Sequence, residues 1–250
     1  MTGPDELVTP LGRIPVRHRL ALAVQAVDAV TGRPAAGVRV TRETRRPAPA
    51  TDNGRGRLVL RHDRPLPATV LIRLDDPAGR WVSRRLEVAI FGYDEVRAAD
   101  LEPPAGARIP AGARAVRPWL KPATGYPAPA FATGIRFGVR RGRTRIPWPR
   151  LEVFDSAGRP AGWAHGDSRG EVLVLIRPDP GAAGAVPIVV RVHEPAGQGP
   201  LPGLEPVGKA PPDPVIRGDV LPPGYLPQAT DHLLSCTVGR VAGVADLDIS

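Results

Sequence analysis

The sequence predicts an all-β protein made of two β-sandwiches in tandem, with a Pro/Gly-rich linker and extended termini. Three observations support this fold class. The apolar residues occur in short alternating runs, the pattern of half-buried strands. Turn-forming residues separate those runs, for the 250-residue chain contains 32 prolines and 28 glycines. Finally, the stretch Val24–Leu60 recurs in outline at Ile135–Leu175, and two copies of one supersecondary unit indicate two copies of one fold.

The first copy reads as a series of strands and turns. HRLALAVQAVD alternates as a strand, and DAVTGRP supplies the Asp, Gly and Pro of a turn. GVRV follows as a second strand, with Val38 and Val40 on one face and Arg39 on the other. After the polar loop TRETRRPAPA, TDNGRG predicts a turn and RLVLRH a third strand. A hairpin of ATVLIRLDD with WVSRRLEVAI, together with AIFGYDEV, completes a seven-stranded sandwich.

The second copy follows the same order. GIRFGVRR corresponds to LAVQAV, and Leu151 and Val153 take the places of Val38 and Val40. The hairpin DSRGEVLVLI corresponds to DNGRGRLVL, and VPIVVRVHEP closes the second sandwich. The alignment matches Asp167, Arg169, Gly170 and Leu173 to Asp52, Arg55, Gly56 and Val59.

Composition divides the chain into six segments. The last one becomes apolar again after a proline-rich tether, which predicts that it docks on a surface. It could do so as a short helix capped by Thr230 or Asp231, or as a strand completing its own or another chain's sheet. The segments are an N-terminal arm (1–15), a first sandwich (16–118), a Pro-rich linker (119–128), a second sandwich (129–196), a Pro/Gly-rich tether (197–227) and a C-terminal docking segment (228–250).

The formal net charge of +9 raises the question of nucleic-acid binding, because clustered cations gain affinity by releasing phosphate counterions. Only two of the 34 basic residues are lysines, Lys121 and Lys209, and the arginines are spread over strand-like and loop-like segments. A GC-rich genome imposes this composition on any surface. We therefore keep nucleic-acid binding as a second alternative only, and prefer an acidic protein as the partner of the positive surface.

The chain shows no signature of export or of a membrane span. The first twenty residues contain acidic residues and prolines where a signal peptide needs a basic region followed by an apolar one. No apolar run approaches the length of a transmembrane helix. We expect a cytoplasmic protein that is assembled into a particle. Cys236 is the only cysteine, so an intrachain disulfide and a cysteine-based zinc cluster are excluded.

The motifs that suggest chemistry are explained by turns. Residues 166–170, GDSRG, satisfy the G-x-S-x-G pattern, but a nucleophile elbow needs a helix after the serine and EVLVLI predicts a strand. The five histidines show no metal-ligand spacing. The tripeptide RGD at 217–219 resembles an integrin motif by letter alone. We therefore expect no catalytic residue, no cofactor and no metal ion.

The densest positive patch lies on the predicted hairpin that opens the second sandwich. It consists of Arg140, Arg141, Arg143 and Arg145, with no aromatic residues interleaved for base stacking. The pattern favours a solvated turn, and after that a patch facing a protein partner.

The stretch VDAVTGRPAAGVRV followed by TDNGRGRLVL resembles carboxypeptidase-regulatory-like modules, which are transthyretin-type, Ig-like β-sandwiches. The second copy departs from this pattern, since Arg150 replaces Gly37 and Gly166 replaces the threonine before the aspartate. The wider layout is similar to proteins found with phage-tail-like extracellular contractile injection systems. Phe137 stands where that family has glycine. The residues that match the family pattern are Tyr126, Pro127, Pro129, Ile135, Arg136 and Val139.

The resemblance implies a particle-associated structural protein, and we expect a non-enzymatic adaptor. Its edge strands and C-terminal tether would donate backbone hydrogen bonds and apolar side chains to other protein subunits of sheath, cap or baseplate type, or to further copies of the chain. A membrane is not an expected partner. The expected docking residues are Leu233, Leu234, Val238 and Val241, with the arginine patch Arg140, Arg141, Arg143 and Arg145.

A glycan- or peptide-binding module is the main alternative. It requires an exposed aromatic platform, and the tryptophans are its only candidates. They are Trp81, Trp119, Trp148 and Trp163.

Overall fold

Nearly all regular structure in the computed structural model is β-strand, which confirms the all-β sandwich class. No helix in the part of the chain described is long and apolar enough to cross a membrane. The structure describes residues 8–11, 14–17, 20–43, 48–49, 51–52, 58–62, 66–99, 109, 111–196, 212–226 and 230–249.

Strands occur on both sides of one short helix. Before it lie β1 Val8–Leu11, β2 Ile14–Arg17, β3 Leu20–Val24, β4 Val27–Asp28, β5 Arg39–Arg42, β6 Ala48–Pro49, β7 Thr51–Asp52, β8 Leu58–Arg61, β9 Thr69–Asp75 and β10 Arg84–Ala89. After helix α1 Tyr93–Ala99 and a 3-10 turn Ala111–Arg114 come β11 Ala115–Val116, β12 Trp119–Leu120, β13 Thr133–Arg141, β14 Thr144–Arg145, β15 Arg150–Asp155, β16 Pro160–His165, β17 Glu171–Ile176, β18 Ala185–His193, β19 Pro212–Asp213, β20 Thr230–Thr237, β21 Val241–Gly243 and β22 Leu247–Asp248.

The first sheet pair combines a sheet of order β19-β10-β9-β5-β6 with one of order β11-β3-β8-β7. The expected hairpin of β9 with β10 is present, with Ile72 opposite Leu86. Burial alternates along β9 because one face points into the core. Val38 and Val40 pack against that core and Arg39 is exposed, as expected. The predicted turn at 53–57 lies outside the described residues.

The second sheet pair combines β14-β13-β17, to which β21 and β22 add in parallel with β13, with a sheet of order β16-β15-β18-β20. Leu151 and Val153 lie in its core, in the positions that the internal repeat predicts. The C-terminal segment is a strand in its own chain's sheet, since β20 pairs with β18 from Thr230 to Thr237. This settles the choice between helix and strand for that segment.

The two sheet pairs are in direct contact through β17. Its side chains alternate between two cores, for Val172 and Val174 pack in the second and Leu173 packs in the first. Leu175 and Val241 also pack against the first core. The strand is therefore buried on both faces.

Two predictions of local structure were wrong. The segment AIFGYDEV is not a strand: β10 ends at Ala89 and α1 follows. The Glu95 side chain accepts a hydrogen bond from Gly92 N at 3.1 Å, and the acidic residues of the first turn suit the helix dipole. Conversely, the sequence predicts a loop between LEV and the hairpin DSRGEVLVLI, yet this stretch contains the edge strand β16, where proline is tolerated.

Candidate functional site

The part of the tether described by the structure, residues 212–226, crosses from one sheet pair to the other and is called the crossing segment below. It begins as β19, which runs parallel to β10 of the first pair. It ends beside the second pair, where Tyr225 forms a bridge with Pro195. The tether therefore holds its own chain together at this junction.

Asp213 on the crossing segment accepts hydrogen bonds from one arginine of each sheet pair. Its Oδ2 is 2.5 Å from Arg84 Nη2 and 3.1 Å from Arg150 Nη2. All three side chains are at most 6% exposed. Together with His165 and Tyr225 they form a buried group that we call the ionic clamp. Charge-assisted hydrogen bonds are strong, but a buried charged group stabilises the fold only when it has an oppositely charged or hydrogen-bonding partner.

Arg84 is the centre of the clamp. Its Nη1 donates to the carbonyl oxygens of Trp119 and Ile216, each at 2.8 Å, and its Nη2 also donates to the Val215 carbonyl. Burial, with a smaller contribution from Arg150, lowers the pKa of Arg84 to about 10. The guanidinium therefore stays charged at neutral pH and binds three backbone carbonyls as well as a carboxylate.

His165 is held in its neutral form by its partners. Its Nε2 donates to the Gly218 carbonyl at 2.8 Å, and Arg150 Nη1 lies against both Nδ1 and Nε2 of the ring. Burial first, and then the nearby Arg150, Arg84 and Lys121, lower the pKa of His165 well below its usual value. Both ring nitrogens are occupied, so the imidazole orients the crossing segment and holds no free lone pair for a substrate.

Tyr225 closes the clamp at the far end of the crossing segment. Its hydroxyl donates to the Trp148 carbonyl at 2.8 Å and accepts from Arg150 Nε at 3.3 Å. Burial raises the pKa of Tyr225. Trp148 itself has a positive φ of 58° and packs with Val82 and Ala123 between the two sheet pairs.

Lys121 lies half-buried beside the clamp. Burial lowers the pKa of Lys121 to about 8, opposed by Asp219 and reinforced by Arg84 and Arg150. Two arginines face one aspartate in the clamp, and their positive charge adds to burial, the larger cause, in lowering the pKa of Lys121 and of His165.

The motifs singled out from the sequence lie in or near this junction. In RGD, Arg217 lies over the Trp119 ring at 5.5 Å and Gly218 lies against His165. The G-x-S-x-G stretch is a turn in which Gly170 N donates to Asp167 O at 3.0 Å, and β17 follows it. A strand therefore stands where a nucleophile elbow has a helix. In the described residues no three metal-ligating side chains come together.

The four apolar docking residues lie in the C-terminal strands and turn. Leu233 projects from β20 and is 75% exposed. Leu234 points the other way and packs against the second core, Val238 is half-buried, and Val241 packs against the first core. Of these four residues, only Leu233 thus offers a largely exposed apolar side chain to another molecule.

Most of the arginine patch is matched by acidic residues of the same chain. Arg140 lies 3.6 Å from Asp248, and Arg145 lies 3.0 Å from Asp246. Arg141 lies 2.7 Å from Glu194, and Arg143 is exposed. The C-terminal strands bring two of these carboxylates to the hairpin.

The tryptophans do not line one open surface. Trp81 and Trp148 are buried. Trp119 and Trp163 keep partial exposure, and each lies against a neighbouring side chain, Arg217 and His193 respectively. Because Trp81 and Trp148 are buried, these two indoles cannot form the exposed aromatic platform that a glycan-binding module needs.

One feature of the sequence does indicate a buried charge. In RRLEVA the buried positions of β10 are Arg84, Leu86 and Val88, so an arginine occupies a core-facing place in an alternating strand. A buried arginine requires a partner, but no local pattern identifies Asp213, which is 129 residues away.

No family model matches the chain and no curated protein matches it. Two solved structures are similar at low scores. The Bacillus anthracis TIE protein matches with a TM-score of 0.27 and 10% identity over 92% of this chain and 33% of its own length. The shaft pilin SpaA from Lactobacillus rhamnosus GG matches with a TM-score of 0.25 and 10% identity over 93% of this chain and 100% of its own. This chain thus spans a third of the TIE protein, and scores of this size do not establish a common fold.

Proposed function

We propose that the protein is a non-enzymatic structural adaptor of a multiprotein assembly, and specifically of a phage-tail-like contractile injection particle. Its partners are other protein subunits of sheath, cap or baseplate type, or further copies of the chain. It acts in the cytoplasm as part of the particle. The particle is proposed from the resemblance of the segments around Tyr126 and Ile135, and the adaptor role from the surface described next.

The observation that carries the adaptor role is the edge formed by β20. This strand has eight residues, contains neither proline nor lysine, and lies at the end of its sheet. Among the described residues no strand pairs with its outer side. Proteins protect such edges with short strands, prolines, charges or bulges, because an open edge accepts another strand.

The opposite edge of the same sheet carries that protection. β16 contains Pro160 and Gly162, and its pairing with β15 shifts register between Val153 and Phe154. Of the other strands that end these sheet orders in the described part, β6, β7, β11, β14 and β19 have two residues each. The six-residue β17 also ends a sheet, but Val172 forms a bridge with Gly166 and both faces of the strand are packed. The contrast supports β20 as the place where a partner strand adds, with Leu233 as its exposed apolar contact.

The ionic clamp supports the same function. A subunit that transmits force or fixes spacing needs its parts held in one arrangement. Here one carboxylate binds an arginine from each sheet pair, and β17 packs into both cores. Buried polar networks of this kind specify a single geometry.

The test is Leu233→Lys, which places a protective charge on the edge without disturbing the core. We expect the full-length variant to fold normally and to co-sediment with native particles at no more than about a tenth of the wild-type level, a loss of roughly 1.4 kcal/mol. The matched control is Val220→Lys, at an apolar residue of the crossing segment that is 56% exposed, and it should co-sediment like the wild type. Equal recovery of both variants would contradict the proposal.

A further inference from the structure

Phe131 is the most exposed large apolar side chain in the described part of the chain. It is 88% exposed, at the third position of a turn in which Ala132 N donates to the Pro129 carbonyl at 3.0 Å. Its φ is 62°, a left-handed conformation that is an outlier for a bulky residue. The turn holds the ring away from the protein immediately before β13 begins.

Trp148 is the other described non-glycine residue with a positive φ, and its conformation has an internal explanation. Its indole is buried with Val82 and Ala123, and its amide donates to the Asp167 carbonyl at 2.8 Å. The core thus compensates for its strain. Phe131 has no comparable packing, so the protein retains a strained aromatic residue that its own fold does not use. Strain of this kind is a marker of functional positions.

Two exposed arginines lie beside the turn. Thr133 pairs with Ile176 at the end of β17, and the exposed Arg177 is the next residue along the chain. Gly134 N donates to the Arg240 carbonyl at 3.0 Å, which brings that residue to the start of β13. A projecting aromatic ring with arginines around it has the composition of an interface hot spot.

The geometry points to Phe131 as an anchor that inserts into an apolar pocket with an acidic rim on a partner protein. The inference goes beyond the proposed function, since it depends neither on the edge of β20 nor on the identity of the assembly. Aromatic anchors in pockets dominate binding energy, and the flanking arginines select acidic surroundings.

A protein partner fits better than a second copy or a membrane. In a second copy, three exposed carboxylates of the C-terminal strands, Asp231, Asp246 and Asp248, are already paired with that copy's own arginines and do not form the acidic rim. A membrane would need a larger apolar surface, but the exposed neighbours of Phe131 in the turn, Pro129 and Ala130, are small.

Photo-crosslinking in the native cell tests the occupant directly. The probe is p-benzoyl-L-phenylalanine in place of Phe131 in the full-length chain, with the same probe in place of Val220 as the control. We expect the Phe131 probe to crosslink one protein at a site lined by apolar and acidic residues, and the Val220 probe not to crosslink that site. Crosslinks to lipid, to a second copy or to nothing would overturn the proposal.

The second measurement uses Phe131→Gly with the crosslinked protein as purified ligand. Removing the ring also relieves the left-handed strain, so Tm should stay the same or rise by up to about 4 °C. Affinity for the ligand should fall at least about tenfold. Unchanged affinity would overturn the proposal, and a lower Tm would show that Phe131 serves the fold instead.

Discussion

At the scale of single residues, the protein depends on a few buried polar groups whose partners are far away in the sequence. Arg84 and Asp213 are 0% and 1% exposed at the side chain. A side chain of this kind is stabilising only as part of a complete set, because a lone buried charge costs several kcal/mol. The charged groups of the clamp therefore depend on one another.

His165 makes the stability of the protein dependent on pH. Because its pKa is lowered in the fold, the unfolded chain binds the extra proton once the pH falls below about 6.5. The free energy of unfolding should therefore decrease as the pH falls from 7.5 to 5.5, with His165 contributing a loss on the order of 1 kcal/mol. Above pH 7.5 this contribution is constant.

The variant His165→Gln should remove that loss. The glutamine amide can donate to the Gly218 carbonyl, and its oxygen can accept from Arg150, so the neutral arrangement is preserved. Urea unfolding at the two pH values measures the effect. His62→Gln, at a partly exposed histidine of the first sheet pair, should leave most of the pH dependence in place. An equal slope for His165→Gln and the wild type would exclude His165 as its source.

At the scale of elements, the crossing segment shows how a Pro/Gly-rich stretch can be ordered without regular structure. Its backbone is fixed by side chains of other strands, since Arg84 alone binds the carbonyls of Val215 and Ile216. Glycine allows a close approach at one point. Gly218 has a φ of 63° and lies directly on His165.

Two glycines of the crossing segment give a matched pair. A Cβ on Gly218 would stand 2.6 Å from His165 Cε1, whereas a Cβ on Gly224, which also has a positive φ, would meet nothing within 4 Å. Gly224→Ala should therefore cost only the left-handed backbone penalty of about 1–2 kcal/mol. Gly218→Ala adds a clash with a fixed ring and should cost about 3 kcal/mol or more. Denaturant midpoints of the two variants decide whether the close approach matters.

Elements also show where sequence reasoning succeeds. Strands with alternating apolar residues, such as β9 and β15, were predicted because period-two burial is a local property. Helix α1 was missed because seven residues carry too little periodicity, although Asp94 and Glu95 were available as a start signal. The continuous apolar run in EVLVLI is typical of a strand that is buried on both faces. β17 is such a strand, although the sequence analysis predicts it only as one strand of a hairpin.

The candidate site was less predictable than the fold. The exposed Leu233 was among the expected docking residues, and whether it binds a partner stays a prediction. The ionic clamp was not anticipated, because Arg84 and Asp213 become neighbours only after both sheet pairs have formed. Phe131 was also missed, since the left-handed backbone of a phenylalanine has no sequence signature.

At the scale of the whole molecule, the two sheet pairs share contacts that should make them unfold together. Leu173 belongs to the first core although its strand belongs to the second sheet pair, and the clamp joins both. We expect the wild type to show one urea transition, with tryptophan fluorescence and circular dichroism coinciding.

The variant Asp213→Asn should break this coupling. It leaves two buried guanidinium groups without their carboxylate, which should cost about 3–5 kcal/mol and separate the two transitions. Asp231→Asn is the control, because that carboxylate forms an exposed pair with Arg191 and should contribute less than about 1 kcal/mol. Equal midpoints for the two variants would show that the clamp does not link the sheet pairs.

The long sequence separation of the clamp also orders events during synthesis. Asp213 leaves the ribosome long after Arg84, and β20 to β22 follow later still. An N-terminal region folds while the rest of the chain is still being translated, at about 5–20 residues per second. Arg84 therefore has no carboxylate partner until Asp213 has been synthesised. The junction can close only after Asp213 has been synthesised, and the pairing of β18 with β20 can form only after residues 230–237. A polypeptide that stops before Thr230 therefore lacks β20 and the sheet edge that this strand forms.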